Sequence, residues 1–263
     1  MKKDMKKPLI LMTLLGLSVS LLGCRANRKE TGTVTGIIGA LDKEVSSLKD
    51  SMKDKKSTTI AGMEFCQGKL DGKDVVVVQC GMGKVNAGIC AQLLISEFGA
   101  DRVINTGVAG SLNADIDIGD IVVSIDAVQH DYDLQPLGYG PGEIDVGEKM
   151  TAFPADEQMR KSAVKAVEES APEIRVYEGR ICSGDQFIAS KEQKEAIISA
   201  FKGMCCEMEG AAIAQVCYRN ETPFVIIRAI SDKADDSEEM SYEEFSDAAA
   251  ARCAGIVHYM LTH

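Results

Sequence analysis

From residue 34 to the carboxyl terminus, short β-branched runs alternate with segments whose apolar residues recur every three or four positions, and this alternation restricts the fold more than any other feature. A strand is predicted at 34–39 and a helix at 41–52, where Leu41, Val45, Leu48 and Met52 fall at helical spacing. Residues 75–80 form a continuous β-branched run suited to a strand covered on both faces. A helix over 84–98 follows, with Val85, Ile89, Leu93 and Leu94 expected to face inward. Further strands are predicted at 102–105, 121–128, 176–182 and 224–230, and helices near 155–169, 191–201, 209–219 and 242–261. Such alternation builds one α/β domain over 34–263 around a largely parallel sheet. Residues 131–151, rich in glycine and proline with little periodicity, read as a long functional loop.

The preceding residues read as an address. Lys2, Lys3, Lys6 and Lys7 are followed by an apolar run over 8–22, shorter than the roughly 20 residues of a spanning helix. This is the pattern of a signal peptide over 1–23. Its end, Leu21-Leu22-Gly23-Cys24, resembles the lipobox of bacterial lipoproteins, which implies cleavage before Cys24 and lipidation of that cysteine. Residues 24–33 then form a tether, and the protein is expected to sit lipid-anchored on the bacterial cell membrane, outside the cytoplasm.

Charge excludes one class of partner. The chain carries 29 basic and 40 acidic residues, a net −11. Removing residues 1–23 takes away four lysines and one aspartate and leaves a formal −14. Nucleic acid is therefore not an expected partner. The eight cysteines after Cys24 match no zinc spacing, include no CxxC, and in several cases sit inside apolar runs, so they are expected to be free buried thiols.

In open α/β sheets ligands bind at the carboxyl ends of strands, so the turns there are where chemistry is expected. The segment Gly36-Ile-Ile-Gly-Ala-Leu-Asp-Lys-Glu44 delivers Glu44 one turn into a helix. Gly81-Met82-Gly83-Lys84 and Asn105-Thr-Gly-Val-Ala-Gly110-Ser111 read as further glycine turns. Neither GxGxxG nor GxxxxGK[ST] is present, and the first turn carries Asp42 and Glu44, which repel a phosphate but suit activation of a water. Ser183-Gly-Asp-Gln-Phe187-Ile188 offers an aromatic face for a planar base, or a core contact. Glu207-Met208-Glu209 opens a helix, and the buried strand at 224–230 ends in Ser231-Asp232, an acid placed for general acid work.

These blocks, in this order and covering the whole domain, resemble the bacterial 5′-methylthioadenosine/S-adenosylhomocysteine nucleosidases. The resemblance implies a nucleoside phosphorylase-like three-layer α/β/α sandwich around a mostly parallel mixed sheet, a homodimer, and no metal or organic cofactor. It implies hydrolysis of the N-glycosidic bond of methylthioadenosine and S-adenosylhomocysteine, with 5′-deoxyadenosine a further candidate. Glu44 matches the base that activates water and Asp232 the acid that serves N7 of adenine. Glu209, beside Met208, matches the residue that holds the ribose hydroxyls. Phe187 would stack on adenine, the Ile188 backbone would read its edge, and Gly110 would let the chain pass close to the substrate. Met82 belongs to the same set of binding residues. Leu41 and Tyr242 fall where the family lines its 5′-alkylthio pocket, and Leu134 and Leu137 resemble the portion supplied by the partner subunit. Val108 departs from a frequent serine and Tyr242 from a common phenylalanine.

Three other readings use the same residues differently. A phosphorylase would need phosphate and a basic group in the Asp42–Glu44 turn. Another hydrolase of the same fold, acting on futalosine or inosine-like nucleosides, would differ at the edge that reads the base. A nucleoside-binding lipoprotein would need no acid and base on opposite sides of a scissile bond.

Overall fold

The computed structural model describes residues 33–234 and 238–263, with the side chains of the last helix described from residue 245. The proposed signal peptide, Cys24 and the side chain of Tyr242 lie outside the described residues. Among the described residues no helix is long and apolar enough to cross a membrane.

The strand β1 (Val34–Gly39) leads into α1 (Asp42–Ser51), then β2 (Lys53–Ile60), β3 (Met63–Leu70), β4 (Lys73–Gln79) and α2 (Lys84–Ser96). The chain continues through β5 (Arg102–Ser111), β6 (Ile121–Gln129), the short strands β7 (Ile144–Asp145), β8 (Lys149–Met150) and β9 (Ala152–Pro154), and α3 (Glu157–Ser170). It ends with β10 (Val176–Ser183), α4 (Lys191–Phe201), β11 (Cys205–Glu207), α5 (Gly210–Arg219), β12 (Phe224–Asp232) and α6 (Glu238–Thr262).

One ten-stranded mixed sheet runs β11-β10-β6-β12-β5-β1-β4-β3-β2, with β9 beside β6. Its centre is parallel: Ile37 of β1 lies between Val77 of β4 and Ile104 of β5. The strand β11 pairs with β10 in parallel and also with β5 in antiparallel, Cys206 opposite Gly110. The five strands β5, β12, β6, β10 and β11 thereby close on one another, which brings the segment after β11 to the carboxyl ends of β5 and β12.

Helices cover both faces. Val45 and Leu48 of α1, Ala163 and Val167 of α3, and Cys253 and Val257 of α6 pack on one side. Ala87, Cys90 and Leu94 of α2 and Ile213 and Cys217 of α5 pack on the other. Every residue of β12 is buried, and full burial of each large aliphatic side chain contributes about 1.5–3 kcal/mol. The eight cysteines of the domain are all buried and none is in a disulfide. Burial pushes the Cys182 and Cys217 thiols up to about 12, so both stay protonated.

Two expectations need correction. Val85 and Ile89 of α2 are not inward: they are 72% and 41% exposed, while Ala87, Cys90, Ala91 and Leu94 form the buried face. Small residues let α2 approach α5 closely, and the bulkier pair is left outside. The segment 105–111 is not a turn but the second half of β5, in register with β12 up to Gly110. The structure also contains a hairpin, β2–β3, for which the sequence carries no clear pattern. Its edge strand is exposed along most of its length, so it lacks the apolar alternation of a half-buried strand, and its three lysines suit an unpaired edge.

Candidate active site

The carboxyl ends of β1, β5, β11 and β12 surround a cavity. Glu44 enters it from the first turn of α1. Its Oε2 accepts from the backbone N–H groups of Ala40 (2.6 Å) and Leu41 (2.9 Å), and its Oε1 from that of Val108 (3.1 Å). The contact with Leu41 is half of a capping box, a third-position glutamate reaching back to the N-cap amide, so the local sequence itself folds the side chain into place. A carboxylate offers about four acceptor sites. Three are filled by the protein, which leaves one direction in which Glu44 can accept from a water.

Asp232 closes β12 on the other side and is 3% exposed. Its Oδ2 accepts from the Ser231 hydroxyl (2.7 Å) and its Oδ1 from the Ala234 amide (3.0 Å). Two strand glycines make room for these acids. A Cβ on Gly107 would lie 2.5 Å from Glu44 Oε1, and one on Gly110 would lie 2.5 Å from Asp232 Oδ1. The family resemblance implies that Gly110 lets the chain pass close to a substrate; in the structure its missing side chain makes room for Asp232.

Below the cavity lies a polar network that the sequence blocks do not reveal as one. Arg228, 2% exposed in the middle of β12, donates through Nη2 to Glu207 Oε2 and Asn105 Oδ1, both at 2.5 Å. Glu207 also accepts from the Ser183 hydroxyl and from the amides of Glu209 (3.1 Å) and Gly210 (2.8 Å). Burial by itself would raise the Glu207 pKa, but Arg228 and these donors outweigh it and hold the carboxyl below its ordinary value. Glu209, two residues on, behaves in the opposite way. Burial and the neighbouring Glu207 charge push it up to about 8, although Arg228 and the Gly83 amide at 2.8 Å favour its ionised form. An arginine inside an otherwise apolar strand was the available sequence signal, since a buried guanidinium requires a buried acid.

The cavity brings together Leu41, Glu44, Met82, Gly110, Phe187, Ile188, Met208, Glu209 and Asp232. Val108, Cys206, Glu207 and Ser231 also line it. Leu134 is half-buried and Leu137 exposed, and neither lines this chain's own cavity. Among the described residues, the cavity wall contains no lysine, arginine or histidine. Among the described residues no group of three His, Cys, Asp or Glu is placed to hold a metal ion. A pocket with a carboxylate at each side and an aromatic at its mouth can protonate a leaving group and activate a water, and among the described residues it offers no basic group for a phosphate.

A model of the phosphorylase superfamily matches residues 34–262, and the chain belongs to that superfamily. It is 43% identical over 227 residues to the 5′-methylthioadenosine/S-adenosylhomocysteine nucleosidase of Shewanella sediminis, covering 86% of this chain and 97% of that one. The nucleosidase of Colwellia psychrerythraea, solved in complex with adenine, superposes with a TM-score of 0.84 at 41% identity, covering 88% of this chain and 95% of that one. The Neisseria meningitidis nucleosidase, solved with methylthio-immucillin-A, gives 0.84 at 37% identity over 88% of this chain and 99% of that one. Within the superfamily, then, the chain is an N-glycosyl hydrolase of the nucleosidase type, with the fold that the sequence blocks imply.

Proposed function

We propose that the protein hydrolyses the N-glycosidic bond of 5′-methylthioadenosine and S-adenosylhomocysteine, releasing adenine and the 5-thioribose product. The observation that carries this reading is the pair Glu44 and Asp232, both lining one cavity at the carboxyl ends of β1 and β12. Glu44 accepts a proton from the water that attacks C1′. The C1′–N9 electron pair passes to the purine, and Asp232 donates to N7 so that adenine leaves neutral. Positive charge building on the ribose ring is met by the surrounding carboxylates. Glu209 holds the ribose hydroxyls, Phe187 stacks on the base, and the Ile188 backbone reads its edge. Leu41, Met82 and Met208 supply apolar surface at the sugar and 5′ end, with Tyr242 from the start of the last helix.

Incubation of the purified protein with methylthioadenosine in phosphate-free buffer tests the reaction. Adenine release without phosphate is expected. Release only after phosphate is added would make the protein a phosphorylase, and tight binding without turnover would make it a nucleoside carrier.

A homodimer completes the site in this reading, with Leu134 and Leu137 reaching the partner's 5′ pocket. Exposed Met82, Val85, Ile89 and Leu137 support it, since an uncovered apolar group of this kind marks a contact surface. Light scattering is expected to give twice the chain mass. The protein is further proposed to be anchored outside the cytoplasmic membrane through lipidated Cys24. What supports this reading is the sequence alone: Lys2, Lys3, Lys6 and Lys7, the apolar run over 8–22, and its end Leu21-Leu22-Gly23-Cys24. Globomycin-sensitive processing and recovery in the membrane fraction are expected; a soluble cytoplasmic protein retaining residues 1–23 would refute the anchor.

A further inference from the structure

Three residues from three separate segments form a closed ring beside the cavity mouth. Lys84, the first residue of α2, extends Nζ to Asp131 Oδ1 at 2.5 Å. Asp131, in the segment after β6, accepts through Oδ2 from the Asp185 amide at 2.8 Å. Asp185, in the loop after β10, accepts through Oδ1 from the Lys84 amide at 2.7 Å, which returns the ring to its start. The Lys84 and Asp131 side chains are only 16% and 17% exposed, so water screens their attraction less than at an open surface. Burial would raise the Asp131 pKa, but Lys84 and the Asp185 amide outweigh it and keep the carboxyl below its ordinary value.

Two members stand next in the chain to groups that reach the cavity, and none of the three lines it. Lys84 follows Gly83, whose amide holds Glu209 Oε1. Asp185 precedes Gln186, Phe187 and Ile188, all of which line the cavity. Phe187 is 53% exposed. Two residues before it, the backbone of its loop is tied to the segment after β6 where the Asp185 amide meets Asp131.

We propose that Lys84, Asp131 and Asp185 are positioning residues for recognition of the purine: they hold the loop 185–188 against the start of α2 at the spacing at which a base fits between Phe187 and the cavity wall. The ring touches neither Glu44 nor Asp232. It therefore acts on the binding of the base and leaves the reacting centre intact. The inference rests on the assignment of Phe187 to the base.

The test compares Lys84→Met, Lys84→Arg, Asp131→Asn and Phe187→Ala in the full protein, reading KM and kcat for methylthioadenosine, the dissociation constant of adenine alone, and thermal stability. Loss of one charge-assisted hydrogen bond corresponds to roughly tenfold or more in binding. Lys84→Met is expected to raise KM and the adenine dissociation constant by about that factor, with kcat within about threefold, and Lys84→Arg to recover most of the loss. Asp131→Asn keeps the shape and an acceptor for the Asp185 amide, so it is expected to show a smaller shift in the same two constants and serves if Lys84→Met does not fold. Unchanged adenine affinity in Lys84→Met and Asp131→Asn, beside a weakened Phe187→Ala, would overturn the ring's role. A fall in kcat at constant adenine affinity would also overturn it. An unaltered Phe187→Ala would instead remove the assignment of Phe187 on which the inference stands.

Discussion

At the floor of the cavity, Asn105, Glu207 and Arg228 are almost wholly buried and hydrogen-bonded to one another, whereas at its rim Met82 and Phe187 leave 61% and 53% of their surface exposed. The floor is finished by folding alone. Every charge there was desolvated when the sheet closed, and the geometry of the acids is fixed before a ligand arrives. The rim has apolar surface still to bury, and that surface contributes only when a base or a neighbouring subunit covers it. In the proposed reading, reaction chemistry and recognition are thus separated by depth, with Glu209 between them, anchored to the Gly83 amide but raised by burial and by Glu207.

The largest effects should come from the acids that face the cavity over this floor. Glu44→Gln and Asp232→Asn are each expected to lower kcat by about 10²–10⁴, the span of a general acid or base, read as adenine release at saturating substrate. Full turnover in either variant would detach the floor from the chemistry. Next comes the ion pair beneath. Arg228→Met leaves Glu207 buried without its counter-charge, and a stability loss of about 3–5 kcal/mol is expected in denaturant titration. Adding Glu207→Gln should recover part of it, because the uncompensated charge is removed.

At the rim, Phe187→Ala should leave stability nearly unchanged and weaken substrate binding by about 1–3 kcal/mol, the range of base–aromatic stacking. A stability loss as large as that of Arg228→Met would erase the distinction between rim and floor. Between floor and rim, Glu209 carries a pH dependence. Its folded value of about 8 lies above the ordinary 4.5, so the folded protein keeps a proton that the unfolded chain releases. The associated stability is fully present below about pH 4.5 and is lost as the pH rises through 8. Glu209→Gln, which cannot titrate, should therefore gain in melting temperature relative to the wild type between pH 5 and 8. A constant difference across that window would mean that neither burial nor Glu207 raises Glu209.

Most strands and helices were legible because burial on both sides of a parallel strand selects β-branched runs such as Val75–Val78, and because helices facing a core repeat every three or four residues. Where the physics departs from those patterns the reading departs too. The strand β5 runs through Gly107 and Gly110 because two carboxylates, not a turn, need the space. The helix α2 turns small residues inward because a neighbouring helix lies close, which its own periodicity cannot register. The edge strand β2 carries no alternation because it is open to solvent on most of its length.

By itself the sequence determined the α/β class, the positions of Glu44 and Asp232 at the ends of their strands, and the absence of a phosphate loop, all of which depend on local spacing and side-chain chemistry. Only the tertiary structure decided that Arg228 belongs to Glu207, that β11 folds back onto β5, and that Glu207 and Glu209 are opposite in electrostatics. Those outcomes depend on contacts between residues far apart in the chain and on the loss of water around them, and neither quantity is written in any local stretch of sequence.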